Sequence, residues 1–461
     1  MPTTTRPPLP NTAPAASAIP GPRRPLAALR TIRGFMSDPC STLDDARRRY
    51  GPTFAVGAGP LRMVVVGDPA HVADLFAAPN EAFRWGHALN VLGFVVGDTS
   101  IIVSDGEVHR RRRGRVQPGF ARRFLDGWAA MIVAETDRTI DDEILVHPGL
   151  ADLFPVERSL VLRMVLNVLF GAGLYDRADE IGRLFEPAKE YLEQSVLRQI
   201  PHPFPFTRRS RARGARHGLD RLIDEEMRRR RADRSGASTD LLDAMLAEGG
   251  PDALSDDEIR DQVVTLIGAG YDTTASALSW TTLRAAADPG VWAALRAEAD
   301  SVLVGDVGPS TLPRLAYAGA VVREALRLHP AGVVSPRQAA RDVTVGPYTI
   351  PRRAMILWSP YLAGRDESAW GDALAFRPQR HLDRDIDPSV AAAMHAAWIP
   401  FGGGTRRCIG FALAQMELTL AISRLAQRVD LTLETASIPP PYGMVVNRPL
   451  GGVRASAAPR R

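Results

Sequence analysis

The sequence predicts a mainly α fold with a small β region, packed as one unit over residues 26–461. Three observations lead there. Hydrophobic residues recur at helical spacing, with proline and glycine breaks, from about residue 105 to 330. Short β-type runs occur only outside that stretch, near residues 53–68, 343–359 and the tail. No internal repeat is visible and no long linker interrupts the chain beyond residue 25.

Taken in order, residues 1–25 hold eight prolines and no acid, which reads as a flexible or polyproline-like leader. Arg23-Arg24 lacks the apolar core of an export signal. The runs TFAVGAG (53–59) and RMVVVGD (62–68) flank Gly59-Pro60 and predict a β-hairpin. The apolar stretch 159–174 is broken by Arg163 and Asn167, short of the roughly 18 uninterrupted apolar residues of a membrane span, so a buried helix and no transmembrane anchor are expected.

Ser255 and Glu258 have capping-box spacing, and a helix can run from there to Asp288-Pro289. At 1.5 Å per residue it would be about 48 Å long. Gly268 and Gly270 interrupt it, each costing about 1 kcal/mol relative to alanine. Close approach of a bulky ligand is the expected compensation. Residues 343–359 predict short strands, 360–400 are irregular, 409–428 form a last helix, and a β-rich tail follows.

Composition excludes several classes. The net charge is +5, and Lys189 is the only lysine among many arginines. The runs Arg110–Arg113 and Arg228–Arg231 complete no nucleic-acid motif and are not interleaved with aromatics, so no nucleic-acid partner is expected. Arg110, Arg111, Arg112, Arg122, Arg123 and Arg407 are expected to form a basic surface. Two cysteines, Cys40 and Cys408, exclude a disulfide framework beyond a single bridge and suit a reducing cytoplasm.

Cys408 follows the glycine-rich run Phe401-Gly402-Gly403-Gly404-Thr405-Arg406-Arg407 and precedes a helix. Amide N–H groups and a helix N-terminus there would favour a thiolate, and a thiolate in a tight loop is a candidate iron ligand. Phe401, Gly404, Arg406, Cys408 and Gly410 match the haem-binding loop of the cytochromes P-450, F-x-x-G-x-R-x-C-x-G, at every defined position. Ala269-Gly270-Tyr271-Asp272-Thr273-Thr274 resembles that family's oxygen-activation segment. Glu324-Ala325-Leu326-Arg327 resembles its E-x-x-R helix, with Arg380 of Phe376-Arg377-Pro378-Gln379-Arg380 as third member. The family usually has Glu where Gln379 stands, and Gly where Arg353 stands.

The resemblance covers residues 26–452 and implies a cytochrome P-450 fold. Haem b would lie between the long central helix and the cysteine-loop helix, with Cys408 as axial ligand. It implies His109, Arg113, Arg337 and Arg406 as propionate anchors, and Phe401, Gly402 and Ala269 against the haem. Asp272 and Thr273 would serve proton delivery, and Glu324, Arg327 and Arg380 would be structural. By family position Phe94, Val95, Val264, Gly268, Val333, Val334 and Val446 would face a hydrophobic small-molecule substrate. The implied reaction is a monooxygenation, with NAD(P)H electrons arriving through a ferredoxin reductase and a ferredoxin. A peroxide-driven peroxygenase and a non-catalytic haem sensor are the alternatives.

Overall fold

The computed structural model describes residues 18–460, apart from 60–61, 147–148, 195–198, 200–203, 234–239 and the single positions 248, 251, 306, 309, 384 and 444. Most of the leader and part of the 201–206 proline segment therefore lie outside the described residues. Helices dominate, as the periodicity predicts. Seven of them build or flank the site: α1 (Gly106–Val116), α2 (Phe154–Tyr175), α3 (Ala178–Leu192), α4 (Asp256–Ala286), α5 (Ala316–Leu328), α6 (Pro388–Ala397) and α7 (Phe411–Arg428).

The predicted hairpin forms: β1 (Thr53–Val56) pairs antiparallel with β2 (Met63–Val66), with Thr53 opposite Val66. They belong to a five-stranded sheet with β3 (Phe83–Arg84), β5 (Ser335–Ala339) and β8 (Met355–Trp358), in the order β1-β2-β8-β5-β3. The short β4 (Leu150–Asp152) joins tail strands β9 (Val429–Leu433) and β12 (Arg454–Pro459) in a second sheet. Two small hairpins complete the β region: β6 (Val343–Val345) with β7 (Tyr348–Ile350), and β10 (Pro441–Tyr442) with β11 (Arg448–Pro449). The strand regions thus come from the two flanks of the helical stretch, except β4, which lies within it.

The long helix α4 carries the predicted cap. Ser255 Oγ accepts from Glu258 N at 3.2 Å, and Glu258 Oε2 accepts from Ser255 N at 3.1 Å. Hydrophobic and small residues on nearly all sides of α4 are buried, because α2, α5 and α7 pack around it. Helix α2 is apolar and long enough to cross a bilayer, but most of its apolar window is buried inside the protein and Gly171 kinks it. Its apolarity is therefore that of a core helix.

One expectation is corrected. A Cβ at Gly268 would meet Phe185 of α3 at 3.0 Å, and one at Gly270 would meet Val165 of α2 at 3.3 Å. The glycines let neighbouring helices approach α4. Helix packing compensates their cost, and at Gly268 it leaves no role for a ligand.

Candidate active site

The cysteine loop is shaped by its glycines. Gly402 and Gly404 have φ of 68° and 63°, conformations that side-chain-bearing residues rarely adopt. A Cβ at Gly403 would lie 2.4 Å from the Phe76 ring. The Cys408 amide closes the turn by donating to the Phe401 carbonyl at 2.9 Å. Helix α7 then starts at Phe411.

A cavity of about 360 Å³ separates this loop from α4. Ala269, Gly270, Thr273 and Thr274 line one wall; Phe401, Gly402, Arg406 and Cys408 line the other. Cys408 is exposed and lines this cavity. Burial pushes its thiol above the usual range, while the Gly410 N–H, Arg113 and Arg407 oppose that rise. The Gly410 N–H thus acts in the sense expected of the loop amides, but burial outweighs it. A coordinated metal ion would deprotonate the thiol.

Two arginines converge beside the cavity. Arg406 stacks over Trp85 at 4.1 Å, and Arg337, on β5, lies 5.3 Å from the same ring. Arg406 donates to the Ser104 carbonyl at 2.7 Å, and Arg337 to the Leu75 carbonyl at 3.2 Å. The Nε of each is buried without a partner. Burial lowers both to about 10; Arg406 adds to the fall at Arg337, while Asp105, 3.3 Å from Arg406, opposes it there. Buried His109 is pushed down to about 3 by desolvation, then by Arg406 and Arg113. Its imidazole is neutral at pH 7.

Arg113 is placed differently. It does not line the cavity; it donates to Gln117 Oε1 at 3.0 Å and to the Arg407 carbonyl at 2.9 Å. Arg111 and Arg112 both bond Glu258 at the start of α4. They are withdrawn from the expected basic surface, and the side chains of Arg122 and Arg123 lie outside the described residues.

On α4, Thr273 lines the cavity and donates to the Ala269 carbonyl at 2.6 Å. Asp272 does not reach the lining. It accepts from Arg158 Nε of α2 at 3.1 Å, and Arg158 also pairs with Glu186 of α3 at 2.7 Å. No spacing in the sequence signals Arg158. Glu417 of α7 was also missed: it lines the cavity, one carboxylate oxygen lacks a partner, and burial holds its carboxyl well above the usual range.

The E-x-x-R residues come together away from the cavity. Arg327 donates to Glu324 from Nε and Nη2, each at 2.8 Å, and to the carbonyls of Gly364, Ala373 and Ala375. Arg380 Nε reaches Glu324 at 3.0 Å. His381 Nε2, missed in the sequence, lies 2.9 Å from Glu324. Burial pushes the Glu324 carboxyl up, but the bonds from Arg327 and His381 outweigh it and hold it at about 2.

Of the expected substrate positions, Val334 lines the cavity. Gly268 packs under Phe185, and Val264 is 0% exposed within the main core. Val95 and Phe94 pack with Tyr191, whose ring lies 4.9 Å from that of Phe94. Val333 is buried against the strand β8 side, and Val446 is buried beside Asn447, whose amide bonds the Ala331 carbonyl. Their side chains are consumed by packing, so they do not form this cavity's wall.

The cavity's donor set fits haem b: apolar walls for a planar ring, a thiol for iron, and two buried cations with unused N–H groups for carboxylates. Comparison with known proteins agrees. The family model described as Cytochrome P450 matches residues 20–453. Putative cytochrome P450 139 of Mycobacterium tuberculosis is 34% identical over 396 residues, covering 81% of this chain and 89% of that protein. Putative cytochrome P450 135A1 of the same species is 30% identical over 399 residues, with 84% and 83% covered. The solved structure of retinoic acid bound cyanobacterial CYP120A1 superposes with a TM-score of 0.83 at 22% identity, covering 94% of this chain and 96% of that one, which shows a common fold. Fold and site thus define a haem-dependent oxygenase class. The chain belongs to the cytochrome P450 family and is a haem monooxygenase.

Proposed function

We propose that Cys408 is the axial ligand of haem b in the cavity between α4 and the cysteine loop, and that the enzyme oxidises a hydrophobic small molecule by hydroxylation or epoxidation. The observation that carries this reading is the pair of buried arginines, Arg337 and Arg406, with unpartnered Nε groups beside a cavity onto which a thiol opens. When bound, the haem supplies dioxygen binding and activation, aided by electron donation from the thiolate.

The chain's own residues have separable roles. Arg337, Arg406 and neutral His109 hold the carboxylates. Phe401, Gly402 and Ala269 confine the ring. The Thr273 hydroxyl donates its hydrogen bond to the Ala269 carbonyl, so its Oγ lone pairs are free to accept a hydrogen bond inside the cavity. Asp272 Oδ1 is held by Arg158 Nε, so its part in proton supply requires sharing or releasing that arginine. Apolar Val334 and Ala331 turn the wall towards an apolar substrate.

Electrons come from NAD(P)H through a ferredoxin reductase and a ferredoxin. A cytoplasmic setting suits the two free cysteines. The test is reconstitution: NAD(P)H-dependent oxidation of an apolar substrate identified by its Soret shift. Turnover with hydrogen peroxide but none with ferredoxin partners would establish a peroxygenase instead.

A further inference from the structure

The turn between β10 and β11 ends on Asn447, which is 1% exposed and joins two distant parts of the chain. Its carbonyl accepts from Trp280 Nε1 of α4 at 3.1 Å and from Ser276 Oγ of the same helix. Its amide donates to the Ala331 carbonyl at 2.8 Å, and its Nδ2 to the Pro330 carbonyl at 3.1 Å. Pro330 leads into the segment whose Ala331, Gly332, Val334 and Ser335 line the cavity over Cys408. Ser359 holds the middle of that segment, donating from Oγ to the Val333 carbonyl at 2.8 Å. Asn447 does not line the cavity itself. It ties one wall to α4, whose Thr273, Thr274 and Ala277 form another.

Two buried side-chain atoms at this junction, Asn447 Oδ1 and His329 Nδ1, have no hydrogen-bond partner among the described residues. His329 precedes Pro330, and its ring stacks on Trp280 with centroids 3.8 Å apart and planes 8° from parallel. Arg284 Nε donates to His329 Nε2 at 2.9 Å. A guanidinium only donates, so Nε2 is the bare nitrogen and Nδ1 carries the hydrogen. Burial, then Arg284, holds the ring neutral. The orphans are therefore one donor and one acceptor, placed on the two neighbours of a single indole. Their chemistry is complementary, and one water molecule satisfies both.

We propose that Asn447 is a positioning residue for substrate binding: with His329 it holds one buried water, and this clamp fixes the 331–335 wall against α4. The proposal rests on the reading of this cavity as the haem and substrate pocket. The clamp acts through the Pro330 and Ala331 carbonyls. Loosening it shifts the wall, which alters the fit of a ligand wide enough to touch the wall and leaves a small one indifferent.

The test uses imidazole and 4-phenylimidazole, a small and a wide nitrogen ligand of haem iron, titrated into the haem-loaded enzyme and read by the Soret shift. Asn447→Ala should change the Kd of 4-phenylimidazole by about tenfold and that of imidazole by less than about twofold. His329→Phe keeps a ring on Trp280 but removes the Nδ1 donor, and should move the 4-phenylimidazole Kd in the same direction by about threefold. Leu450→Ala, exposed just after β11, should leave both values unchanged. An unaltered carbon-monoxide Soret band in each variant checks that the haem site is intact. A crystal structure of the wild-type enzyme should show a water within hydrogen-bond distance of His329 Nδ1 and Asn447 Oδ1. Unchanged 4-phenylimidazole affinity in both folded variants, or no water between those atoms, would overturn the clamp and leave the pocket reading standing. Failure of both probes to shift the wild-type Soret band would remove the pocket reading, and the clamp with it.

Discussion

Two arginine sites, Arg327 on α5 and the pair of Arg337 on β5 with Arg406 of the cysteine loop, differ in one respect. Arg327 spends its guanidinium on Glu324 and three backbone carbonyls. Arg337 and Arg406 each keep a buried Nε without a partner. The first site is complete in the protein alone. The second has desolvated charge that the protein alone does not satisfy, a state that costs free energy unless a ligand completes it. The comparison separates a structural cluster from a binding site by hydrogen-bond accounting.

The largest effect should come from breaking the complete site. Glu324→Ala leaves Arg327 and Arg380 buried without their carboxylate, and should cost about 3–5 kcal/mol. Thermal melts of the haem-free protein check this. The same carboxylate predicts acid sensitivity. Its pKa in the folded state, about 2, lies below the ordinary value of 4.5, so its contribution is full above pH 4.5 and is lost as pH falls towards 2. Glu324→Gln should flatten that part of the pH–stability curve. A steep acid limb that persists in the variant would assign it elsewhere.

The incomplete site should respond in the opposite sense. Arg337→Ala should weaken haem retention by about 1.5–3 kcal/mol, the size of a charge-assisted hydrogen bond. It should leave the melting temperature of the haem-free protein unchanged or higher. Haem transfer to apomyoglobin measures the first, and calorimetry the second. Destabilisation of the haem-free protein as large as that from Glu324→Ala would erase the distinction between the sites.

Effects on α4 should be confined to turnover. Thr273→Ala should keep haem and substrate binding but divert NAD(P)H electrons into hydrogen peroxide, because an acceptor in the cavity is lost. Asp272→Asn should chiefly slow turnover. Product and peroxide per NAD(P)H consumed distinguish these outcomes. Unchanged coupling in Thr273→Ala would reduce its hydroxyl to the bond it makes with Ala269, a local helix contact.

At neutral pH the smallest change is expected from His109→Gln. The imidazole of His109 is held neutral in the folded state, so its burial opposes folding increasingly as pH falls from 6.5 towards 3. Removing it should soften the loss of stability in that window.

What was legible in the sequence follows the range of the interaction. The loop from Phe401 to Gly410 is local, and Gly402 and Gly404 have the positive φ values that such a turn requires. The capping box of α4 is local too, and both reciprocal bonds form. Arg380 was reachable only through resemblance, while His381, its immediate neighbour, carried no signal of its own. Gly268 was misread because its neighbour, Phe185, comes from a helix more than 60 residues earlier. Arg158 and Glu417 depend likewise on contacts between distant helices. The apolar positions assigned to the substrate wall show the same limit: a valine's type does not say which side of a helix or strand the core occupies.

The most direct test is the carbon-monoxide spectrum of the reduced protein with Cys408→Ser, beside Cys40→Ser as control. Cys40 is buried between α-helical and β-sheet residues away from the cavity, and burial pushes its thiol to about 12. With Cys408 as the iron ligand, Cys408→Ser should fold, yet lose the red-shifted Soret band of a thiolate–carbon monoxide complex, while Cys40→Ser keeps it. A thiolate-type band that survives in Cys408→Ser would contradict the assignment on which the whole site is built.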